Sequence, residues 1–153
     1  MPAGRAPNPQ RPGIEPRDDR AIVGAMDMAK IFAGIRTIAV VGMSDNPARP
    51  SHDVGRYLME YFEVIPVNPN HAEILGKKCY PDLESIPDKV DMVDMFQRSE
   101  KILAFVEPAI AIGAGVFWMQ LGIRNAEAAR RLEAAGITVV QDHCAKIEHS
   151  RLR

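Results

Sequence analysis

The sequence predicts one α/β domain in which a five-stranded parallel sheet is doubly wound by helices, giving three layers, α/β/α. Two observations predict it. Short apolar runs rich in β-branched residues recur along the 153 residues, with no alternation to suggest a wet face, as in strands buried on both sides. Between them lie segments of about ten residues with apolar positions at helical spacing, the pattern of crossover units. Length and composition agree: 46% apolar and 25% charged residues describe an ordinary globular chain with room for a single core.

Taken in order, 25–35 carries apolar residues at helical spacing and reads as a leading helix. Thr37 to Val41 is the first strand, closed by Gly42 and the turn through Pro47. A helix opens at Pro50-Ser51, with Ser51 read as its N-cap and Val54, Leu58 and Tyr61/Phe62 as its buried stripe. Val64 to Val67 is the second strand, stopped by Asn68-Pro69-Asn70. A loop with Gly76, Cys79 and Pro81 and a single turn over 83–86 follow, then the third strand, Asp91 to Phe96. Ser99 is read as the cap of a helix through Ile112 that Pro108 must kink or split. Gly115 to Leu121 is the fourth strand, 125–135 a helix with Gly136 at its end, and Ile137 to Gln141 the fifth strand. Trp118 and the methionines Met26, Met28, Met92 and Met95 read as packing. The whole is Rossmann-like, with the domain placed at 25–153 and a flexible Pro/Arg-rich extension at 1–24. That extension holds five prolines and four arginines before residue 21, without the apolar centre of a secretory signal.

Charge and cysteine content narrow the function classes. Nineteen basic against twenty acidic side chains leave a net charge of −1, so nothing electrostatic points to nucleic acid or an anionic membrane. No apolar run is long enough to span a bilayer. Two distant cysteines, Cys79 and Cys144, argue against a disulfide framework and for a reduced, cytoplasmic setting.

In a doubly wound sheet the ligand sits beyond the carboxyl ends of the strands. Here those ends carry Gly42-Met43-Ser44, Asn68-Pro69, Phe96-Gln97-Arg98 and Gln120-Leu121-Gly122. The first turn leads into a helix N-terminus, which suits a phosphate. Gly42 permits close approach, Ser44 supplies a hydroxyl and Arg49 a charged fork. The turn is not G-x-G-x-x-G, and the second strand ends in Val67-Asn68 rather than in an acidic residue for a ribose diol, so NAD fits poorly. Residue chemistry alone stops at some nucleotide.

The run IAVVGMSDNPARPSHDVGRYL, then VIPVNP, ILGKKCYPDLESIP, VDMVDMFQRSE, AIAIGAGVFWMQLGI and DHCAKIEH resembles the small stand-alone CoA-binding domain family. That family is related to the CoA-binding domain of the succinyl-CoA synthetase alpha subunit. The resemblance runs from about Ile38 to the C-terminus. It implies a Rossmann-like domain holding coenzyme A, free or acylated, across the strand ends. Carried over by position, Gly42, Met43 and Ser44 match the turn against the phosphates, and Arg49 the phosphate-neutralising Arg. Asn68 and Pro69 match the block near the adenosine, Phe96 and Arg98 the block after strand three, and Gln120, Leu121 and Gly122 the opposite wall. Gln97 and His143 stand where the family usually has Arg.

The phosphorylated His of the synthetases lies in a second domain that this length does not accommodate, so the reading leans to a non-catalytic sensing or carrier module. No residue is assigned as catalytic. Among Asp142, His143, Cys144, Lys146, Glu148 and His149 the spacing matches no zinc signature, and Cys144 reads as structural. His52 reads as a surface or capping residue, Asp53 as suited to the helix dipole, and His71 as exposed. Three alternatives stay open: an NAD(P) oxidoreductase, a thiol-exchange protein working through Cys144, and an interaction protein with a vestigial nucleotide site. The partner is expected to be a small molecule, with a second copy or another protein left open.

Overall fold

A computed structural model describes residues 25–153; the expected extension at 1–24 lies outside the described residues. The main sheet is parallel throughout, in the order β2–β1–β5–β6–β7. Its strands are β1 (Thr37–Val41), β2 (Glu63–Val67), β5 (Met92–Met95), β6 (Val116–Met119) and β7 (Thr138–Val140). A separate antiparallel hairpin pairs β3 (Glu73–Ile74) with β4 (Lys77–Lys78). The sequence reading had a plain loop there. The connection is Leu75-Gly76, both at positive φ (51° and 76°), as the tightest hairpin turns require.

Helices cover both faces. On one side α1 (Ala25–Ala33), α2 (Pro50–Leu58) and α5 (Ala145–Ser150) enclose Ile38, Val40, Val64, Met92, Trp118 and Val140. On the other, α3 (Val106–Ala111), α4 (Ala126–Ala134) and a 3₁₀ segment at Ser99–Phe105 enclose Val41, Val93, Met95, Phe117 and Met119. Trp118 is wholly buried, and its indole N–H donates to the carbonyl of His143 at 2.8 Å, so the ring is covered without stranding a donor. No described helix is long and apolar enough to cross a membrane.

Several helix boundaries differ from the sequence reading. Arg49, not Ser51, is the N-cap residue of α2, and Pro50 takes the first helical position, where its missing N–H and fixed φ cost nothing. Ser99 does not cap with its side chain; its Oγ accepts from the Arg124 N–H at 3.0 Å. The expected split near Pro108 is present: a 3₁₀ stretch gives way to α3 at Val106, placing Pro108 in the first turn. In the C-terminal segment, Ala145–Ser150 form the helix α5. Its His149 sits among Phe32, Phe62, Tyr57 and Tyr61, with the Tyr57 hydroxyl 2.8 Å from Nδ1. Burial, then the Arg153 charge, holds His149 below its usual pKa.

The α4 cap also joins two layers of chain. Asn125 Oδ1 accepts from the Ala128 N–H at 2.9 Å, while its Nδ2 donates to the Ser99 carbonyl at 3.0 Å. Asn125→Ala is expected to lower the urea unfolding free energy by about 1–2 kcal/mol, with an unchanged m-value.

Candidate functional site

The sheet order reverses between β1 and β5, so the topological switch point lies beyond their carboxyl ends. An open cleft of about 700 Å³ sits there. Its floor exists because two strand ends come unusually close. Gly42 has φ +84°, and a Cβ added to it would lie 2.5 Å from the Phe96 carbonyl oxygen; only glycine lets the chain turn there. Gly42 N–H donates to Val67 O at 2.8 Å and Phe96 N–H to Val41 O at 2.9 Å, tying the ends of β1, β2 and β5 into one platform.

The loop from β1 to α2 is braced from several sides. Ser44 N–H donates to Ser51 Oγ at 3.0 Å, and Asn46 N–H donates to Ser44 Oγ at 3.0 Å, so the Ser44 hydroxyl keeps its hydrogen for a ligand. His52, read from the sequence as a surface or capping residue, is buried. Its Nδ1 donates to the Ser44 carbonyl at 2.9 Å, because a carbonyl can only accept. Asn68 Nδ2 donates to the Met43 carbonyl at 2.9 Å while its Oδ1 accepts from Asn70 N–H. Within α2, Gly55 leaves the notch that Met43 fills: a Cβ there would lie 2.6 Å from the Met43 terminal methyl.

Seven of the eleven residues singled out from the sequence line this cleft: Gly42, Ser44, Arg49, Asn68, Phe96, Arg98 and Gly122. The other four do not. Met43 is fully buried against α2, Pro69 is exposed beside the turn, and Leu121 is 66% exposed outside the lining. Gln120 is buried, with Nε2 donating to Asp94 and Oε1 accepting from the Ala145 N–H at 3.3 Å. Gln97, noted in the sequence as standing where the family has Arg, also lines the cleft, as do Glu100 and Ile123, which sequence reading passed over. Glu100 lies 3.6 Å from Arg98, which leaves Arg49 as the less compensated cation at the rim. The far wall is fixed by the Gly122 N–H donating to Asp142 Oδ1 at 2.7 Å, with Asp142 itself at φ +61°.

Away from the cleft, Cys79 is buried, its thiol pushed up by burial, and Cys144 is partly buried ahead of α5; both are free. His71 is half-buried, 3.7 Å from Asp45. Among the described residues no three His, Cys, Asp or Glu side chains converge as a metal site.

A profile described as the CoA binding domain matches residues 36–150, which takes in the whole sheet and every wall of the cleft. The chain belongs to the CoA-binding domain family. This domain is 39% identical over 125 residues to YneT of Bacillus subtilis, covering 81% of the chain and 93% of YneT. It superposes on a protein of Pyrococcus horikoshii with TM-score 0.84 at 38% identity, covering 91% of this chain and 99% of that one. It is also 29% identical over 122 residues to the ADP-forming acetate–CoA ligase I of Archaeoglobus fulgidus; the match takes 71% of this chain but 18% of the ligase. The CoA-binding domain thus corresponds to one portion of that much longer ligase.

Proposed function

We propose that this chain binds coenzyme A across the carboxyl ends of β1, β2, β5 and β6 and serves as a non-catalytic sensing or carrier module. The observation that carries the reading is the switch-point cleft, with the Gly42–Phe96 approach as its floor and Ser44 and Arg49 at its rim, in a chain of the CoA-binding domain family. The donors suit the group: a backbone turn without side-chain bulk, a hydroxyl with its hydrogen available, and two guanidinium groups for phosphate oxygens. Asn68 ends β2 where a dinucleotide fold places a carboxylate for the ribose diol, and its amide is already engaged on both sides, which favours CoA over NAD. A role without turnover is supported by His52, whose Nδ1 is spent on the Ser44 carbonyl rather than on its hydroxyl, so Ser44 lacks the base that a nucleophile needs.

Calorimetric titration with CoA, with NAD, NADP and ADP as competitors, tests the reading. Saturable CoA binding that NAD does not displace is expected. Arg49→Ala is expected to weaken it roughly tenfold or more, the worth of a charge-assisted hydrogen bond, while leaving thermal stability unchanged because Arg49 is exposed and makes no side-chain cap bond. A folded chain that does not bind CoA overturns it.

A further inference from the structure

Beneath the sheet's α1–α2–α5 face lies a carboxyl group that the cleft does not use. Asp94 on β5 is wholly buried; its Oδ1 accepts from Gln120 Nε2, and its Oδ2 has no partner. The orientation of the Gln120 amide is fixed independently. Its other end accepts from the Ala145 N–H, so Oε1 must face α5 and Nε2 must face Asp94. A carboxylate in that place has a single donor among the described residues; a neutral acid loses far less.

We propose that Asp94 is a proton-operated latch for the C-terminal segment: neutral, it allows Gln120 to hold the start of α5 against the sheet, and ionised, it is relieved by α5 lifting and admitting water. Asp94 is flanked in the sheet by Val40 on β1 and Trp118 on β6, both fully buried, whereas α5, tied to it through Gln120 and the Ala145 N–H, has only six residues, with Ile147 and Ser150 exposed. Burial pushes the Asp94 carboxyl up to about 7, and Gln120 offsets this only partly. No charged group acts on it. Of the titratable groups on the elements over this face, Lys146 pairs with Asp53 at 2.8 Å, His149 with Tyr57 at 2.8 Å and His52 with Ser44 O at 2.9 Å. Cys144 and His143 precede α5, and Asp27 and Lys30 lie on α1.

The opened segment would let Asp94 titrate as in water, near pH 4. Opening is therefore favoured as pH rises from about 4 to about 7, by roughly tenfold per pH unit, and levels off above. His149, whose pKa burial holds below its usual value, pulls the opposite way, so the readout is a ratio between two proteins. Hydrogen exchange of the full chain, resolved at the Ala145, Glu148 and Arg151 amides, is compared in the wild type and Asp94→Asn, the isostere of the neutral acid. The α5 amides are expected to open more readily than those of β1 and β5, and the ratio of their protection, wild type to variant, is expected to fall about tenfold per pH unit between pH 5 and 7. If only the sheet amides respond while those of α5 do not, the acid acts on complete unfolding and the latch is overturned. The carbon-13 shift of the Asp94 carboxyl in the wild type is an independent measure. Titration near neutrality is expected, and a carboxylate already ionised at pH 5 overturns the proposal without any variant. The latch does not depend on CoA being the ligand.

Discussion

Gly42→Ala is expected to destabilise the fold by about 3 kcal/mol and to abolish binding in the cleft. Two costs combine. The left-handed φ of +84° is unfavourable for any residue with a Cβ by about 1–2 kcal/mol, and the new methyl would meet the Phe96 carbonyl oxygen at 2.5 Å, so β1 and β5 must part at their ends. Overpacking of this kind typically costs a further 1–3 kcal/mol. Gly122 is the control that separates the two. It has the same φ, yet a Cβ there meets nothing within 4 Å, so Gly122→Ala should show the conformational cost alone. Urea unfolding of both variants, with CoA calorimetry, reads the difference; equal losses would mean that the Gly42–Phe96 approach is soft.

Asp94→Asn is expected to be more stable than the wild type at neutral pH, an unusual outcome for a substitution in the core. The folded acid titrates near 7 and the unfolded one near 4. Between those values the unfolded chain gives up a proton that the fold keeps, so wild-type stability falls as pH rises. The asparagine lacks this dependence. The difference should be about 0.5 kcal/mol at pH 4, about 1.5 kcal/mol at pH 5, and on the order of 4 kcal/mol above pH 7. Urea midpoints at pH 5 and 8 check it, and a variant less stable at both would show that the carboxylate has a donor after all.

The elements that sequence reading reached are those in which local and global signals agree. Thr37–Val41 is β-branched, apolar and ended by a glycine, and it lies inside the sheet, between β2 and β5. Asn125 is a helix-capping residue by type and caps in fact. The start of α2 was misplaced by one signal overriding another: Ser51 has the cap chemistry, but Pro50 is the stronger marker of the first helical position. The hairpin at 73–78 was missed because two-residue strands carry no period, although Leu75-Gly76 is a turn signal. α5 was missed because six residues are too few to show a helical period. Within the site, the residues that face the cleft were legible from the strand ends, but which of two neighbours faces it was not. Met43 and Gln120 turn inward because Gly55 and Asp94, distant in sequence, make places for them. Asp94 itself looked like one polar letter in an apolar strand, and only its neighbours in space show that it is sealed.

The pairing of β1 with β5 has a kinetic consequence. Of the two, β5 arrives late: Thr37 and Asp91, joined by the hydrogen bond that aligns the two strands, are 54 residues apart in the chain. Closing so long a loop precedes any reward from the contacts it makes. During synthesis, β1, α2 and β2 therefore emerge and wait, and the platform under the cleft does not exist until β5 has left the ribosome and paired with β1. A small molecule that needs that platform recognises only chains that have completed this pairing. Its presence in the cell would draw nascent chains toward the native state by mass action, making the ligand a participant in maturation as well as an occupant of the finished protein.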